Sequence, residues 1–455
     1  PSGPGRVLVR YDLPVEVKGA QVTLERSGRP LRVGRPAYAS PDHKDVSLPL
    51  PELGGGSYVL TWFLFGSDGD VMGGELAFTV TATGPETPGP GTPVPPAGSN
   101  QRRVDGRSFA PLSQAQDVTR LTASASVLLL VGAVTFVVWL WRAGARLRRT
   151  RVLLWASLAA AVVANAAALG LKGAAVQGRS ALYALTPEAI TALNGTHVGR
   201  VLVARLGLLL LAVPVVALLT LAPERALRSH RWWIGATISG LGALATHGML
   251  SHGYARGPLA SAVNVVHLAA VAVWLGGLAM LAFVVLPRRR GDELSLLVPR
   301  FSRLAFVCVA TAAAAGTVLL VLISPRWTAL PTSEYGRLLL VKLALVAVLL
   351  ATASRARDFV RQRLPALTPA SLEPLELLDL TPAERPVPVG VGAALTDAPA
   401  PRAATAGSGP GIRAAIVRVD PVRLRPFVTA VTAEICIAAS ILAATALLVG
   451  RPPPT

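Results

Sequence analysis

The sequence predicts a mostly α polytopic membrane bundle of about eight transmembrane helices, preceded by an N-terminal extracytoplasmic β-sandwich. Three observations carry that expectation. The chain holds about eight apolar runs, each long enough to cross a hydrocarbon core of ~30 Å. Its arginines gather in alternate loops between those runs. Its first ~80 residues alternate polar and apolar positions in short stretches, the period of half-buried strands. Of 455 residues, 52% are hydrophobic and 15% charged, against about 25% charged in a typical soluble domain. The mean hydropathy is +0.52.

The strands come first. VLVRYDLPVEV, AQVTLERSG, DVSLPL, SYVLTWFLF and ELAFTVTA are Val-, Leu- and Thr-rich stretches separated by Gly and Pro turns, the pattern of a small antiparallel sandwich over 1–82. The stretch 83–117 turns to Pro, Gly, Ser and Thr and reads as a linker. Spanning runs follow near 121–141, 152–170, 200–221, 232–250, 262–286, 301–324, 335–353 and 427–449. The first seven form one membrane domain over 118–354. The stretch 355–426 contains a Pro- and Ala-rich segment without period and reads as a largely disordered cytoplasmic loop. Residues 427–455 supply the eighth helix and a tail. Opening at Pro1 with no initiator Met or signal peptide, the sequence reads as processed or as a fragment.

Orientation follows from the loops. Arg142, Arg146, Arg148, Arg149 and Arg151 lie between runs one and two, Arg225, Arg228 and Arg231 between three and four, and Arg288, Arg289 and Arg290 between five and six. Arg355, Arg357, Arg361 and Arg363 follow run seven, whereas the other loops carry scattered charges. The positive-inside rule then sets the arginine-rich loops in the cytoplasm and the β-domain and C-terminus outside. The net charge of +19 is thus a topology signal. The expected partner is the lipid bilayer, and no nucleic acid is expected. Cys308 and Cys436 sit in separate apolar runs; they form no paired metal motif and read as small buried hydrophobes. The chain contains no phosphate-cradling Gly-rich loop ending in Lys-Ser/Thr, no zinc-hydrolase helix motif and no CxxCH. ATP-driven transport by that route and enzymatic activity are not expected.

The stretch THGMLSHGYARGPLASAVNVVHLAAVAVWLGGL, from Thr246 to Leu278, sets His247, Met249, His252 and His267 around one short loop between two apolar runs. Imidazoles are costly in hydrocarbon, and such a group near a membrane face points to an ion or ligand site. Imidazole with thioether suits copper better than calcium or magnesium. The bland alternative is histidines hydrogen-bonded across packed helices. Asn165, Arg205, Asn264 and Lys342 lie in the outer halves of the runs. Cations so close oppose a bound metal cation, so some must pair elsewhere. Glu434, midway along run eight, either pairs with Lys342 or serves an ion pathway with Lys342 and Asn264. Trp274-Leu275-Gly276-Gly277 offers small residues for close helix approach. In the β-domain, Asp68, Asp70 and Glu75 flank the Gly-rich turn SDGDVMGGE, a weak metal signal by itself.

These residues resemble a family. VNVVHLAAVAVWLGGLAML is similar to the signature helix of the CopD copper-resistance membrane proteins. FSRLAFVCVATAAAAGTVL, TSEYGRLLLVKLALVAVLLATASR, VTAEICIAASILAATALLV and LNGTHVGRVLVARLGLLL resemble other helices of that family. DLPVEVKGAQVTLE and LPLPELGGGSYVLTWFLFGSDGDVMGGELAFTV resemble CopC, a small extracytoplasmic copper-binding sandwich. The whole is similar to a CopC–CopD fusion. The resemblance implies copper uptake, as Cu(I) or Cu(II), across a bacterial cytoplasmic membrane, with the β-domain docking copper outside. Asp68 matches the family's pattern in the β-domain. His267 matches it in the membrane domain, and His252 falls near a Gly-His-Ala position that here reads Ser-His-Gly; with His247 and Met249 these two histidines would form the entry site that the residues suggest. CopC proteins hold Cu(II) with an N-terminal His and an Asp-Gly-His turn; here Asp68 matches and Asp70 replaces the His, so the turn is expected to bind copper weakly or not at all. Asn264 stands where the family often has Asp. Two other readings stay open: a membrane electron-transfer module holding b-type heme between paired histidines, or a metallochaperone serving a cuproenzyme, with an extracytoplasmic copper chaperone as a further candidate partner.

Overall fold

The computed structural model describes residues 4–11, 14–66, 71–80, 110–250, 257–323, 334–362 and 421–449. Seven strands form two antiparallel sheets. One has the order β1 (Arg6–Arg10), β5 (Asp45–Pro49), β4 (Ala37–Tyr38); the other runs β3 (Arg29–Leu31), β2 (Val15–Arg26), β6 (Gly56–Gly66), β7 (Val71–Val80). Val46 and Leu48 from the first sheet share one core with Leu24, Tyr58, Leu60 and Leu64 from the second, which makes the pair a sandwich. Tyr11 accepts from Trp62 Nε1 at 2.9 Å at the edge of that core. Burial pushes its hydroxyl up to about 12, against a smaller lowering by that bond. Arg10 closes the rim through two bonds to Asp45, at 2.7 and 2.9 Å, and the bonded guanidinium holds that carboxyl below the usual range.

The β2–β6 ladder breaks once. Glu16 pairs with Phe65 and Gln21 with Phe63, so Val17–Ala20 bulge out opposite Leu64 alone. Gly19 takes φ +85° within the bulge, a conformation that suits glycine.

Among the described residues, eight long helices follow: α1 (Ala110–Trp139), α2 (Arg148–Val176), α4 (His197–Leu221), α6 (His230–Met249), α7 (Pro258–Met280), α8 (Gly291–Ile323), α9 (Glu334–Gln362) and α10 (Pro421–Val449). Short helices α3 (Pro187–Thr191) and α5 (Pro223–Arg228) lie in connections. Every expected run is helical. Among the described residues, six helices are long and apolar enough to cross a membrane, at 114–139, 148–176, 197–221, 258–288, 292–322 and 428–445. The expected runs at 232–250 and 335–353 correspond to α6 and α9. In α6, Gly, Ser, Thr and His residues dilute the apolar character. The span at 258–288 is continuous because α7 passes through a π-helical turn, Leu281–Val285, into a last tight turn at Leu286–Arg288.

Two boundaries differ from the sequence expectation. The first helix starts at Ala110, inside the stretch read as linker, because Leu112 is buried against Leu171 and Ala175 and Gln116 donates to the Leu171 carbonyl at 3.3 Å. Tertiary packing overrides the polar composition there. Helix α9 runs on to Gln362, past the expected end of the membrane domain. The remainder of the expected cytoplasmic loop, to residue 420, lies outside the described residues.

Three of the arginine-rich connections, those before α2, α6 and α8, meet at one end of the bundle. Arg146 bonds Glu224 of α5, Arg288 lies 6.0 Å from the Trp141 ring, and Arg288 pairs with Glu293 at 2.8 Å. The sandwich docks at the other end. Phe65 is fully buried among Leu169, Val176, Leu193, Val198 and Leu202. The β2 bulge seats Gly19 against the 192–197 turn, where a Cβ would come within 3.1 Å of Thr196 Cγ2. Both Glu16 carboxylate oxygens accept from the His197 N–H, at 2.8 and 3.0 Å. A strand residue thereby caps the first turn of α4, where unsatisfied N–H groups and the helix dipole favour a negative charge.

Candidate functional site

Glycine lets the central helices close in. A Cβ on Gly132 of α1 would run into the Ala272 carbonyl of α7, and one on Gly276 would run into the Gly132 backbone. The adjacent Gly277 is faced by the Phe301 ring of α8. The small residues of the Trp-Leu-Gly-Gly run therefore serve close approach, as the sequence suggested.

Beside this tight core lies a cavity of about 380 Å³ with mostly apolar walls. Its polar lining includes His247 of α6, Asn264 and His267 of α7, Arg205 of α4, Asn165 of α2 and Lys342 of α9. Two of the four expected ligands, His247 and His267, thus line the same cavity as Asn264 and Lys342.

The histidines are held alike. His247 Nδ1 is 3.0 Å from the Ala243 carbonyl and His267 Nδ1 is 2.8 Å from the Ala312 carbonyl. A carbonyl only accepts, so Nδ1 carries the proton in both rings and Nε2 keeps its lone pair. This is the tautomer in which a neutral imidazole offers Nε2 to a metal, oriented by its other nitrogen. His247 Nε2 is buried and has no hydrogen-bond partner among the described residues.

Arg205 is 5% exposed. Its Nε donates to Thr246 Oγ1 at 3.0 Å, its two terminal nitrogens to the Thr246 carbonyl at 2.6 Å and to Asn165 Oδ1 at 3.1 Å. The guanidinium thus fastens α2 and α4 to the residue preceding His247. None of these acceptors is charged. The sequence singled out Arg205 and Asn165 only as polar groups in an outer half. The usable signal was a second arginine, five residues past Arg200 and inside the apolar run of a helix with no acidic residue of its own.

Other expected residues lie elsewhere. Met249 is not on the cavity wall, and its carbonyl accepts from His197 Nε2 at 3.4 Å. Glu434 is 7% exposed on α10, off the cavity wall, and forms no ion pair with Lys342. His252, Asp68 and Asp70 lie outside the described residues. Among the described residues, no three His, Cys, Asp or Glu side chains stand close enough to enclose a metal. The two imidazoles line the same cavity, one from α6 and one from α7, without a third such side chain among the described residues to close a cage.

A docked β-sandwich on a multi-helix bundle, with a histidine-bearing cavity inside the bundle, defines a membrane protein with an appended β-domain. Three family models match the chain: CopC domain over residues 1–81, Copper resistance protein D-like N-terminal domain over 112–261, and Copper resistance protein D over 295–378. The chain belongs to the CopC–CopD copper-resistance family, with both parts fused in one polypeptide. No curated protein matches it. His247 and Arg205 fall in the second matched range and Lys342 in the third, while His267 lies in the interval between those two.

Proposed function

We propose that this protein takes up copper across the bacterial cytoplasmic membrane, and that the cavity lined by His247 and His267 receives the ion. The observation that carries the proposal is the pair of histidines with both Nδ1 atoms committed to backbone carbonyls, leaving two Nε2 lone pairs at one cavity. Two neutral nitrogen donors bind a borderline or soft cation without burying a compensating charge, and an open pair also releases it. His252 and Met249, on the connection leading to that wall, serve as outer ligands in this reading. The β-domain docks copper outside, with Asp68 as its remaining turn ligand. Inward movement gains about 2.3 kcal/mol per charge per 100 mV when the interior is negative, so no nucleotide is required. Lys342 and Asn264 on the cavity lining, and Glu434 outside it on α10, are the further polar groups of the proposed ion pathway.

The test is copper uptake into proteoliposomes by the full chain and by a His247→Ala/His267→Ala variant. Direct ligation predicts that uptake is abolished and that copper affinity falls at least 10–100-fold, since even outer-shell losses have that size. Unchanged uptake in the double variant removes the cavity from the pathway. A b-type heme band in the purified chain, with no uptake, replaces transport by electron transfer.

A further inference from the structure

The connection from α2 to α4 folds back along α2. The Ala184 carbonyl lies against Gly170 and the Ala189 carbonyl against Gly173, each where a Cβ would collide with it. Gly170 stands six residues before Val176, the last residue of α2, about 9 Å down the helix at ~1.5 Å per residue. The chain thus dips below the end of α2 and climbs again before α4 starts at His197.

The dip has two faces. Ala181–Leu185 form a tight turn with about three residues per turn, so Ala181 and Ala184 share one side and Leu182 and Leu185 another. The alanines pack on Leu112, Leu171 and Ala175. The leucines point away, 81% and 87% exposed, the highest values of any large hydrophobic side chain among the described residues. No charge interrupts 181–187, which lies between Arg179 and Glu188. The backbone pairs internally, as hydrocarbon requires. Tyr183 N–H donates to the Ser180 carbonyl and Thr186 N–H to the Tyr183 carbonyl, both at 3.0 Å, and Ala189 N–H donates to the Thr186 hydroxyl at 3.4 Å. The polar groups gather at the helix end. Tyr183 donates its hydroxyl proton to Gln177 Oε1 at 3.3 Å, and the Arg179 guanidinium carbon lies 5.7 Å from the Tyr183 ring centre. A tyrosine and an arginine above apolar side chains is the pattern of a membrane–water boundary. Exposed apolar patches mark a membrane or protein contact. Depth favours lipid, because the dip lies within the length of the spanning helix α2 and not beyond it.

We propose that residues 181–187 are a membrane anchor: Leu182 and Leu185 insert among the acyl chains of the leaflet on the sandwich side, while Arg179, Tyr183 and Gln177 stay at its headgroups. The anchor does not depend on the copper reading. It sets the bilayer level against the sandwich, since Phe65 packs on Leu169 and Val176 of the same stretch of α2.

The experiment uses the full chain with Cys308 and Cys436 replaced by Ala, reconstituted into phosphatidylcholine vesicles. A nitroxide is attached at Leu185→Cys or at Leu182→Cys, and its collisions with oxygen and with a water-soluble nickel chelate are read by power saturation. Leu210→Cys, exposed midway along α4, and Arg29→Cys, exposed on β3, give the lipid and water references. Both anchor labels should match the lipid reference in oxygen collisions and lose most of the nickel collisions seen at the water reference. They should report a depth of about 5–10 Å into the headgroup–acyl boundary. Nickel collisions equal to those at Arg29→Cys put the segment in water and overturn the anchor. Few collisions with either reagent mean that a second copy or another protein covers the leucines, which overturns it too. Either position decides the matter if the other variant does not fold. Gly170→Ala displaces the Ala184 carbonyl and should shift the depth of the Leu185→Cys label while leaving the Leu210→Cys label unchanged. An unshifted label overturns the seat on α2.

Discussion

His247 and His267 show why residue type and spacing took the sequence reading part of the way. Imidazoles in apolar runs are rare enough to mark a site, and two of those singled out line the same cavity. Their orientation was not legible, because the acceptors of their Nδ1 atoms are helix carbonyls, at Ala243 and Ala312, which any sequence supplies. The role of Arg205 was equally hidden, since Thr246 and Asn165 meet it only after three helices pack. Gly276 was readable in kind but not in partner. The structure pairs it with Gly132, and that pairing sets a prediction. Gly132→Ala should gain up to about 1 kcal/mol of helix propensity. It should lose about 1–3 kcal/mol or more to overpacking, because the obstacle is the Ala272 backbone and cannot rotate away. The loss wins. Unfolding of the detergent-solubilised chain should show a lower midpoint, and an unchanged or raised midpoint would mean that α1 and α7 stand further apart.

Among the elements, the strands and long helices were legible because periodicity and run length are local. The β2 bulge was not. Nothing local in VEVKGAQV separates Val17–Ala20 from continuous strand except Gly19, and the surface that uses the bulge lies near residue 195. The same holds for Glu16, whose helix-capping contact spans 181 positions. Docking therefore has two parts of unequal size. Phe65→Ala should cost about 3–5 kcal/mol, as for other buried aromatic truncations. Glu16→Ala should cost about 1 kcal/mol, the scale of an N-terminal cap. Hydrogen exchange across 189–202 reads both. Phe65→Ala should expose the whole segment, and Glu16→Ala should speed exchange only in the first turn of α4. Equal acceleration by the two variants would mean that the carboxylate, and not the apolar contact, holds the sandwich in place.

At the scale of the whole molecule, the docked sandwich and the arginine-rich connections before α2, α6 and α8 occupy opposite ends of the bundle, and the end of α6 that carries His247 lies at the sandwich end, where Leu250 packs against the Phe65 cluster. By the positive-inside rule the β-domain and the histidine end are expected outside, and the proposed uptake runs from there toward the arginines. The polarity is testable with thiols. In a chain whose Cys308 and Cys436 are replaced by Ala, Leu8→Cys offers an exposed position on β1 and Arg225→Cys an exposed one on α5. A membrane-impermeant maleimide applied to intact spheroplasts should label Leu8→Cys at once and Arg225→Cys only after lysis. The reverse pattern would point the histidine end at the cytoplasm. The same donors, cavity and cations would then describe a route out of the cell, and the potential that favours inward copper movement would oppose it by the same amount per charge.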